Sequence, residues 1–366
     1  MRGGNCVESR HLCDFGDMPL SDWEQISRTA AQMIERPLDY ADVCRGKVLG
    51  TTFFEPSTRT RFSFQAAMLR LGGSYIGFSD PYNSSVSKGE NLKDTVRTVA
   101  NYVDAIAMRH PLEGAAMAAT LYSRVPVINA GDGGHMHPTQ TLTDLLTIKQ
   151  YRGSLEGNRV GFCGDLKNGR TVHSLIKALI RFPGNSFTLI STKELRLPAY
   201  TIEELEASGC RYTEVDRIED CIGELDVLYM TRIQKERFAS DEEYHEQSGK
   251  YILDRAKMAL APRDLIVMHP LPKIDEITDE VDEDSRCIYF KQAENGMYVR
   301  MALLYLLTQD GARYEPQPPR SNVDGLRCRN PRCITNHELY LPQRFKRPAE
   351  NPANLLCEYC DHSATL

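Results

Sequence analysis

From about residue 47 to residue 308, short apolar runs alternate with stretches of helical spacing. Lys47–Phe54, Ser74–Phe78, Ala105–Met108 and Pro126–Ala130 read as strands. Between and after them, Arg59–Leu71, Glu90–Tyr102, Gly114–Ser123 and a segment from Pro138 to about Tyr151 read as helices, the first stopped by Gly72-Gly73. A strand that returns parallel to its neighbour needs a long crossover, usually a helix, so this order predicts parallel sheets covered by helices. A second cycle follows, with strands at Arg159–Cys163, Ser186–Ile190, Tyr212–Val215, Val227–Met230 and Leu265–Met268 and a helix at Arg170–Arg181. The boundary between the cycles falls near 150–158. A last apolar helix, Val299–Leu307, can cross back onto the first half.

The chain has 366 residues, enough for two domains and a small third one. With 41% hydrophobic and 26% charged residues it is ordinary globular material. No apolar stretch is long enough for a membrane span, and Met1–Asp14 lacks the apolar core of a secretory signal. A net charge of -6 argues against nucleic acid as the main partner. It leaves room for a local anion site. Of the 11 cysteines, four (Cys328, Cys333, Cys357, Cys360) lie close together after the Pro-rich segment 310–322. That segment reads as a linker to an appended module. The other seven are scattered, as expected of free, reduced thiols in the cytoplasm.

The polar residues with the clearest chemistry follow the predicted strands. Ser57-Thr58-Arg59-Thr60-Arg61 opens a helix, where free backbone N–H groups, hydroxyls and a guanidinium fork favour a phosphate. Read alone, it is an ordinary capped helix with surface arginines; the strand, proline turn and helix around it point instead to an anion, without naming one. Arg109-His110-Pro111 follows the third strand, and His137-Pro138-Thr139-Gln140 opens the next helix. Ligands of open α/β sheets sit outside the carboxyl ends of strands, so Thr60, Arg109, His137 and Gln140 could converge. The polar loop Ser79–Glu90 brings Ser85 and Lys88 as possible anion contacts, or is a solvated connection. Arg170 and the Arg232-x-Gln234 pair, again after strands, suit a dicarboxylate. In His269-Pro270-Leu271-Pro272, two prolines fix the backbone direction so that its carbonyls can face an amine.

Taken in order along the chain, these motifs closely resemble the aspartate carbamoyltransferases, from about Phe15 to Thr308. The resemblance implies two doubly wound parallel-sheet domains, for carbamoyl phosphate (1–150) and aspartate (151–309). It implies transfer of the carbamoyl group to L-aspartate, the committed step of de novo pyrimidine synthesis, in a cytoplasmic homotrimer. Ser57, Thr58, Arg59 and Thr60 would hold the phosphate, while Thr60, Arg109 and His137 polarise the carbonyl. Gln140 and the Leu271 carbonyl, beside Pro272, would orient the carbamoyl NH2. Arg170, Arg232 and Gln234 would hold the aspartate carboxylates, and Ser85 and Lys88 would reach a neighbouring subunit's site. No nucleophilic side chain or catalytic cofactor is required. An ornithine carbamoyltransferase-like enzyme is the near alternative. That family typically has His-Cys-Leu-Pro in place of His269-Pro270-Leu271-Pro272 and lacks the Arg-x-Gln pair.

In the tail, Cys328-x4-Cys333 and Cys357-x2-Cys360 have the spacing of a structural four-thiolate zinc site, the competing reading being buried or oxidised thiols. So short a segment barely builds a core, so the metal would supply folding energy. The segment 323–366 resembles the zinc domain of aspartate carbamoyltransferase regulatory chains, which gives a small zinc-binding β domain. The nucleotide domain that normally precedes it has no room in 310–322, so no nucleotide control through that domain is expected. A different class of reading makes the tail a non-catalytic zinc ribbon for nucleic acid or protein, on the strength of Arg327, Arg329, Arg332, Arg344, Lys346 and Arg347.

Overall fold

A computed structural model describes residues 8–80, 85–234, 238, 240–247, 249–309, 311, 313, 315, 316, 318–323, 325–347 and 354–364. The chain forms two compact units. Residues 1–139 and 296–366 make the first, and 140–295 the second.

The first unit begins with helix α1 (Leu20–Glu35), which precedes the strand–helix alternation. Its buried face is Trp23, Ile26, Ala30 and Met33, one residue per turn. Four parallel strands follow, β1 (Val48–Phe53), β2 (Ser74–Phe78), β3 (Ala105–His110) and β4 (Val127–Asp132), in the order β2-β1-β3-β4. Helices α2 (Thr58–Arg70), α3 (Leu92–Val99) and α4 (Ala115–Thr120) connect them. β1, β3 and β4 are buried almost throughout, whereas β2 lies at the edge and stays largely exposed. The N-terminal segment lines the far edge, Leu12 bonding to the Val127 carbonyl at 2.9 Å and taking the Asn129 N–H at 2.7 Å. Gly72 ends α2 at φ 80, where an added Cβ would stand 2.5 Å from the Ala41 carbonyl. Only glycine fits there.

Helix α5 (Pro138–Arg152) opens with proline at its first position, as expected. The second unit carries β5 (Arg159–Cys163), α6 (Arg170–Leu179), β6 (Ser186–Ile190), α7 (Ala199–Ala207), β7 (Arg211–Val215), β8 (Val227–Met230), α8 (Asp241–Gln247), α9 (Arg255–Leu260) and β9 (Ile266–Met268). Its five strands are parallel in the order β7-β6-β5-β8-β9. The last helix, α10 (Tyr289–Thr308), starts ten residues before the apolar stretch that announced it. Its early turns bury polar Gln292 and Asn295, which break the apolar pattern.

The tail adds a two-stranded antiparallel pair, β10 (Phe345–Lys346) and β11 (Leu356–Cys357). Ile334, Leu341, Phe345, Leu355 and Tyr359 share one apolar cluster with Leu92, Val96, Ala115 and Ala119 of the first unit. The tail therefore borrows its core from α3 and α4. It also completes the start of α3, where the Leu92 N–H donates to Glu338 at 2.9 Å and the Lys93 N–H to the Tyr340 hydroxyl at 2.9 Å. Among the described residues no helix is long and apolar enough to cross a membrane.

Candidate active site and metal centre

Strand order reverses direction once in each sheet, between β1 and β3 in the first unit and between β5 and β8 in the second. The crevice outside the carboxyl ends of such a pair is where open α/β sheets bind ligands. Ser57–Thr60 follow β1, Arg109 lies near the end of β3, Arg170 follows β5 and Arg232 and Gln234 follow β8; His137 lies between β4 and α5, Gln140 in the first turn of α5, Leu271 and Pro272 after β9, and Ser85 and Lys88 after β2.

In the first unit, Ser57 occupies the N-cap of α2 in extended conformation, but its side chain makes no capping hydrogen bond. The expected hydroxyl cap is absent, so Ser57 does not compete for the N–H groups of the first turn. Ser57 and Thr60 are half-buried, and Thr58 and Arg59 are exposed. The register puts Arg109 beside Phe53, and the Phe54 N–H donates to the Arg109 carbonyl at 2.8 Å. This places Arg109 next to the turn that leads into Ser57. Arg109 is only 9% exposed, yet its guanidinium makes long bonds, 3.4 Å to Glu55 Oε1 and 3.5 Å to the Ala130 carbonyl. Arg109 Nε has no hydrogen-bond partner among the described residues. A buried cation so weakly satisfied is suited to an anionic or carbonyl ligand.

His137 is buried and stands immediately before α5. Next to it, Thr139 accepts 3.1 Å from Arg300, which also donates to Ser63 of α2 at 3.1 Å and lies over the Phe64 ring. Arg300 thus joins the helix carrying the Ser57–Thr60 turn to the start of α5, a role that nothing in the apolar reading of the last helix signalled. Burial pushes the neighbouring His110 imidazole down to about 4, and its Nδ1 accepts the Leu112 N–H at 3.0 Å. Ser85 and Lys88 lie on an exposed 3-10 turn, where the Ser85 hydroxyl donates to Glu90 at 2.6 Å. They are not brought to the other residues within this chain.

In the second unit, Gly164 at the end of β5 lets the chain run against β8; a Cβ there would be 2.2 Å from the Thr231 carbonyl. The two strand ends meet. Gln234 donates to the Asn168 carbonyl at 3.1 Å, two residues before half-buried Arg170, and Arg232 lies between Thr231 and Gln234. Gln140 is held by Asp144, whose buried carboxylate also accepts from Gln292 and Tyr229. Burial and that carboxylate push the Tyr229 phenol well up. After β9, His269 is buried, accepts the Leu271 N–H at 2.8 Å on Nδ1 and meets Glu276 at 2.7 Å through Nε2. This pair fixes the turn that carries Leu271, at φ 56, and Pro272, joined by a cis peptide.

The four tail cysteines are buried, and their sulfurs lie within 4.8 Å of one another. Cys328 and Cys360 approach to 3.6 Å and Cys333 and Cys357 to 3.8 Å. Disulfide sulfurs stand at about 2.05 Å. A tetrahedral ion with sulfur at about 2.3 Å requires sulfurs about 3.8 Å apart, so the cluster fits such an ion. Hydrogen bonds from Cys328 and the other thiols hold the Cys333 thiol far down, and the same contacts drive Cys360 far up. The group can ionise fully only around a cation.

Residues 10–150 match the family described as "Aspartate/ornithine carbamoyltransferase, carbamoyl-P binding domain" and residues 156–307 its "Asp/Orn binding domain". Residues 321–365 match "Aspartate carbamoyltransferase regulatory chain, metal binding domain". The chain belongs to the aspartate/ornithine carbamoyltransferase family and is an enzyme of the carbamoyltransferase class. Within the family it sides with the aspartate enzymes. It is 59% identical over 299 residues to an aspartate carbamoyltransferase catalytic subunit of Clostridium perfringens, covering 81% of this chain and 97% of the relative. The catalytic subunit of the M. jannaschii aspartate transcarbamoylase superposes with a TM-score of 0.78 at 46% identity, covering 82% of this chain and 99% of that one. The Trypanosoma cruzi enzyme, solved in complex with carbamoyl phosphate and aspartate, gives 0.75 at 37%, covering 81% and 94%.

Proposed function

We propose that this chain transfers the carbamoyl group of carbamoyl phosphate to the amine of L-aspartate, giving N-carbamoyl-L-aspartate and phosphate in pyrimidine synthesis. The observation that carries this reading is the under-satisfied, buried Arg109 at the first switch point, beside the uncapped start of α2. Ser57, Thr58, Arg59 and Thr60 hold the phosphate, and Thr60, Arg109 and His137 polarise the carbamoyl carbonyl. The Gln140 amide, steadied by Asp144, and the Leu271 carbonyl next to Pro272 orient the NH2 group. Arg170, Arg232 and Gln234 take the aspartate carboxylates.

The neutral amine attacks the carbonyl carbon. The tetrahedral intermediate places negative charge on the oxygen facing Arg109 and His137, then the bond from the carbamoyl carbon to the bridging phosphate oxygen breaks and the leaving phosphate takes the amine proton. Catalysis is then positioning plus donors aimed at the developing oxyanion. The first unit serves carbamoyl phosphate and the second aspartate, in a cytoplasmic homotrimer in which Ser85 and Lys88 act on a neighbour's site. Cys328, Cys333, Cys357 and Cys360 hold a structural Zn2+, whose part is to fold the tail.

The purified protein supplied with carbamoyl phosphate is expected to carbamoylate aspartate and not ornithine; consumption of ornithine alone would refute the reading. Arg109→Ala is expected to lose about 10²–10³ in kcat while keeping its circular dichroism. A near-normal turnover number would remove Arg109 from the mechanism.

A further inference from the structure

Five residues separate β4 from α5, namely Gly133, Gly134, His135, Met136 and His137. Two glycines make this a loop with little conformational preference of its own, yet it ends on His137. What holds it is Asp132, 2% exposed at the end of β4. Its carboxylate accepts the Met136 N–H at 3.0 Å, the Gly114 N–H at 2.7 Å and the Asn129 amide at 3.0 Å. The backbone closes the turn twice, His135 N–H to the Asp132 carbonyl at 3.0 Å and Asp132 N–H to the Met136 carbonyl at 3.2 Å.

The His135 side chain reaches across to the tail. Its Nδ1 faces Asp132 at 3.2 Å, and its Nε2 faces Asp361 at 3.2 Å. Asp361 follows the metal-site residue Cys360 and is itself gripped by Lys346 at 2.8 Å. The imidazole is 14% exposed, so the contact is shielded from water. The tail does not depend on it for docking. The Glu113 N–H donates to the Arg332 carbonyl at 2.9 Å, the Ile334 N–H to the Glu113 carbonyl at 2.9 Å, and Asn330 to the Glu113 carboxylate at 2.6 Å. Tyr359 packs against Gly114, and the apolar cluster continues across the same surface.

We propose that His135 is a positioning residue, fixing the Gly133–His137 loop, and so His137, to the metal-binding module through Asp361. The module then serves the reaction as a second anchor for a flexible catalytic loop, in addition to whatever its docking contributes to stability. This rests on the reading of His137 as a carbonyl-polarising group, and the test separates the two.

Asp361 has φ 54, so Asp361→Gly removes the carboxylate in a backbone conformation that glycine adopts freely. Asp361→Asn tolerates the same conformation and keeps an oxygen for His135. Both are made in the full, metal-loaded chain, with His135→Ala and the double variant His135→Ala/Asp361→Gly. Metal content, kcat, the two KM values and amide exchange at Met136 and His137 are measured. Expected in Asp361→Gly and His135→Ala are unchanged metal content, a several-fold loss in kcat, KM for aspartate within about twofold, and faster exchange at both amides. The double variant should be no worse than the poorer single one, and Asp361→Asn should recover most of the loss. Wild-type kcat and wild-type exchange in metal-loaded Asp361→Gly would overturn the proposal, as would additive losses in the double variant. If His137→Ala turned over normally, the function assigned to His137 would fall. The exchange rates of Met136 and His137 in Asp361→Gly would then decide the tether by themselves.

Discussion

Replacing Asp144 tests the inner support of the second unit. The carboxylate is fully buried; Oδ1 accepts from Gln140 at 2.7 Å and Gln292 at 2.6 Å, and Oδ2 from the Tyr229 hydroxyl at 2.9 Å. Asp144→Ala deprives the buried Gln292 amide and the half-buried Gln140 amide of their acceptor. Tyr229 suffers less, because its hydroxyl also meets Thr171 and can turn toward it. At about 1–3 kcal/mol for an orphaned buried donor, with less for half-buried Gln140, which water can reach, the two amides cost about 2–4 kcal/mol. Asp144→Asn behaves differently. Its one oxygen can stay with the two amides while its NH2 faces a hydroxyl able to accept, so the cost is about 1 kcal/mol. For a unit of this size about 1 kcal/mol moves Tm by about 2–4 °C. Scanning calorimetry at fixed protein concentration should therefore place the alanine variant at least about 2 °C below the asparagine one. In kinetics, only the alanine variant should show a raised KM for carbamoyl phosphate, since only there is Gln140 released. Equal Tm values for the two variants would refute the reasoning, because it rests on orphaned donors and not on lost charge.

Other expectations follow from the same contacts. Gly114→Ala places a Cβ in a left-handed conformation, φ 80, and 2.5 Å from the Tyr359 Cβ. About 1–2 kcal/mol of backbone strain plus the displaced Tyr359 should loosen the tail, read as faster proteolysis within 310–322. Removing the metal with a chelator should expose four reactive thiols and speed amide exchange at Leu92 and Lys93, whose acceptors belong to the tail, while β5–β9 keep their protection. Burial raises the Asp226 carboxyl, but hydrogen bonds from Arg159 and charge from Arg152 outweigh it and leave the group below its ordinary value. A carboxyl lowered by folding contributes stability above its unfolded value of about 3.9 and loses it as pH falls through that range. Asp226→Asn should therefore melt below wild type at pH 6, with the gap closing below about pH 4.

Strands were the most legible elements, because apolar runs such as Val227–Met230 have no other place than a sheet covered on both sides. The phosphate turn, Arg109 and the Arg232–Gln234 pair were legible for a related reason: each immediately follows such a run, where a parallel sheet opens its crevice. Helices α7, α8 and α9 were not, being only 9, 7 and 6 residues long, and α1 precedes the alternation that carries the signal. The supports were illegible in principle. Asp144 meets Gln292 across 148 residues and Arg300 meets Thr139 across 161, and neither pair has a local pattern. His135 reads as a loop polar residue until Asp361 is brought to it, 226 positions on. The four-cysteine cluster is the exception among long-range features, since metal geometry writes its spacing into the chain.

The discontinuity of the first unit bears on how the polypeptide is made. The second unit is continuous, so residues 140–295 can close their sheet as soon as they leave the ribosome. The first unit cannot. β1–β4 emerge early, but Arg300 and the Thr308 contacts with Lys47 arrive only with α10, and the apolar cluster over α3 and α4 is finished by the tail. At about 5–20 residues per second, some ten seconds or more of synthesis separate β4 from these partners. During that interval the faces of α3 and α4 that later receive the tail are uncovered. The domain made first is thus completed last, and its solubility while nascent depends on a segment not yet translated.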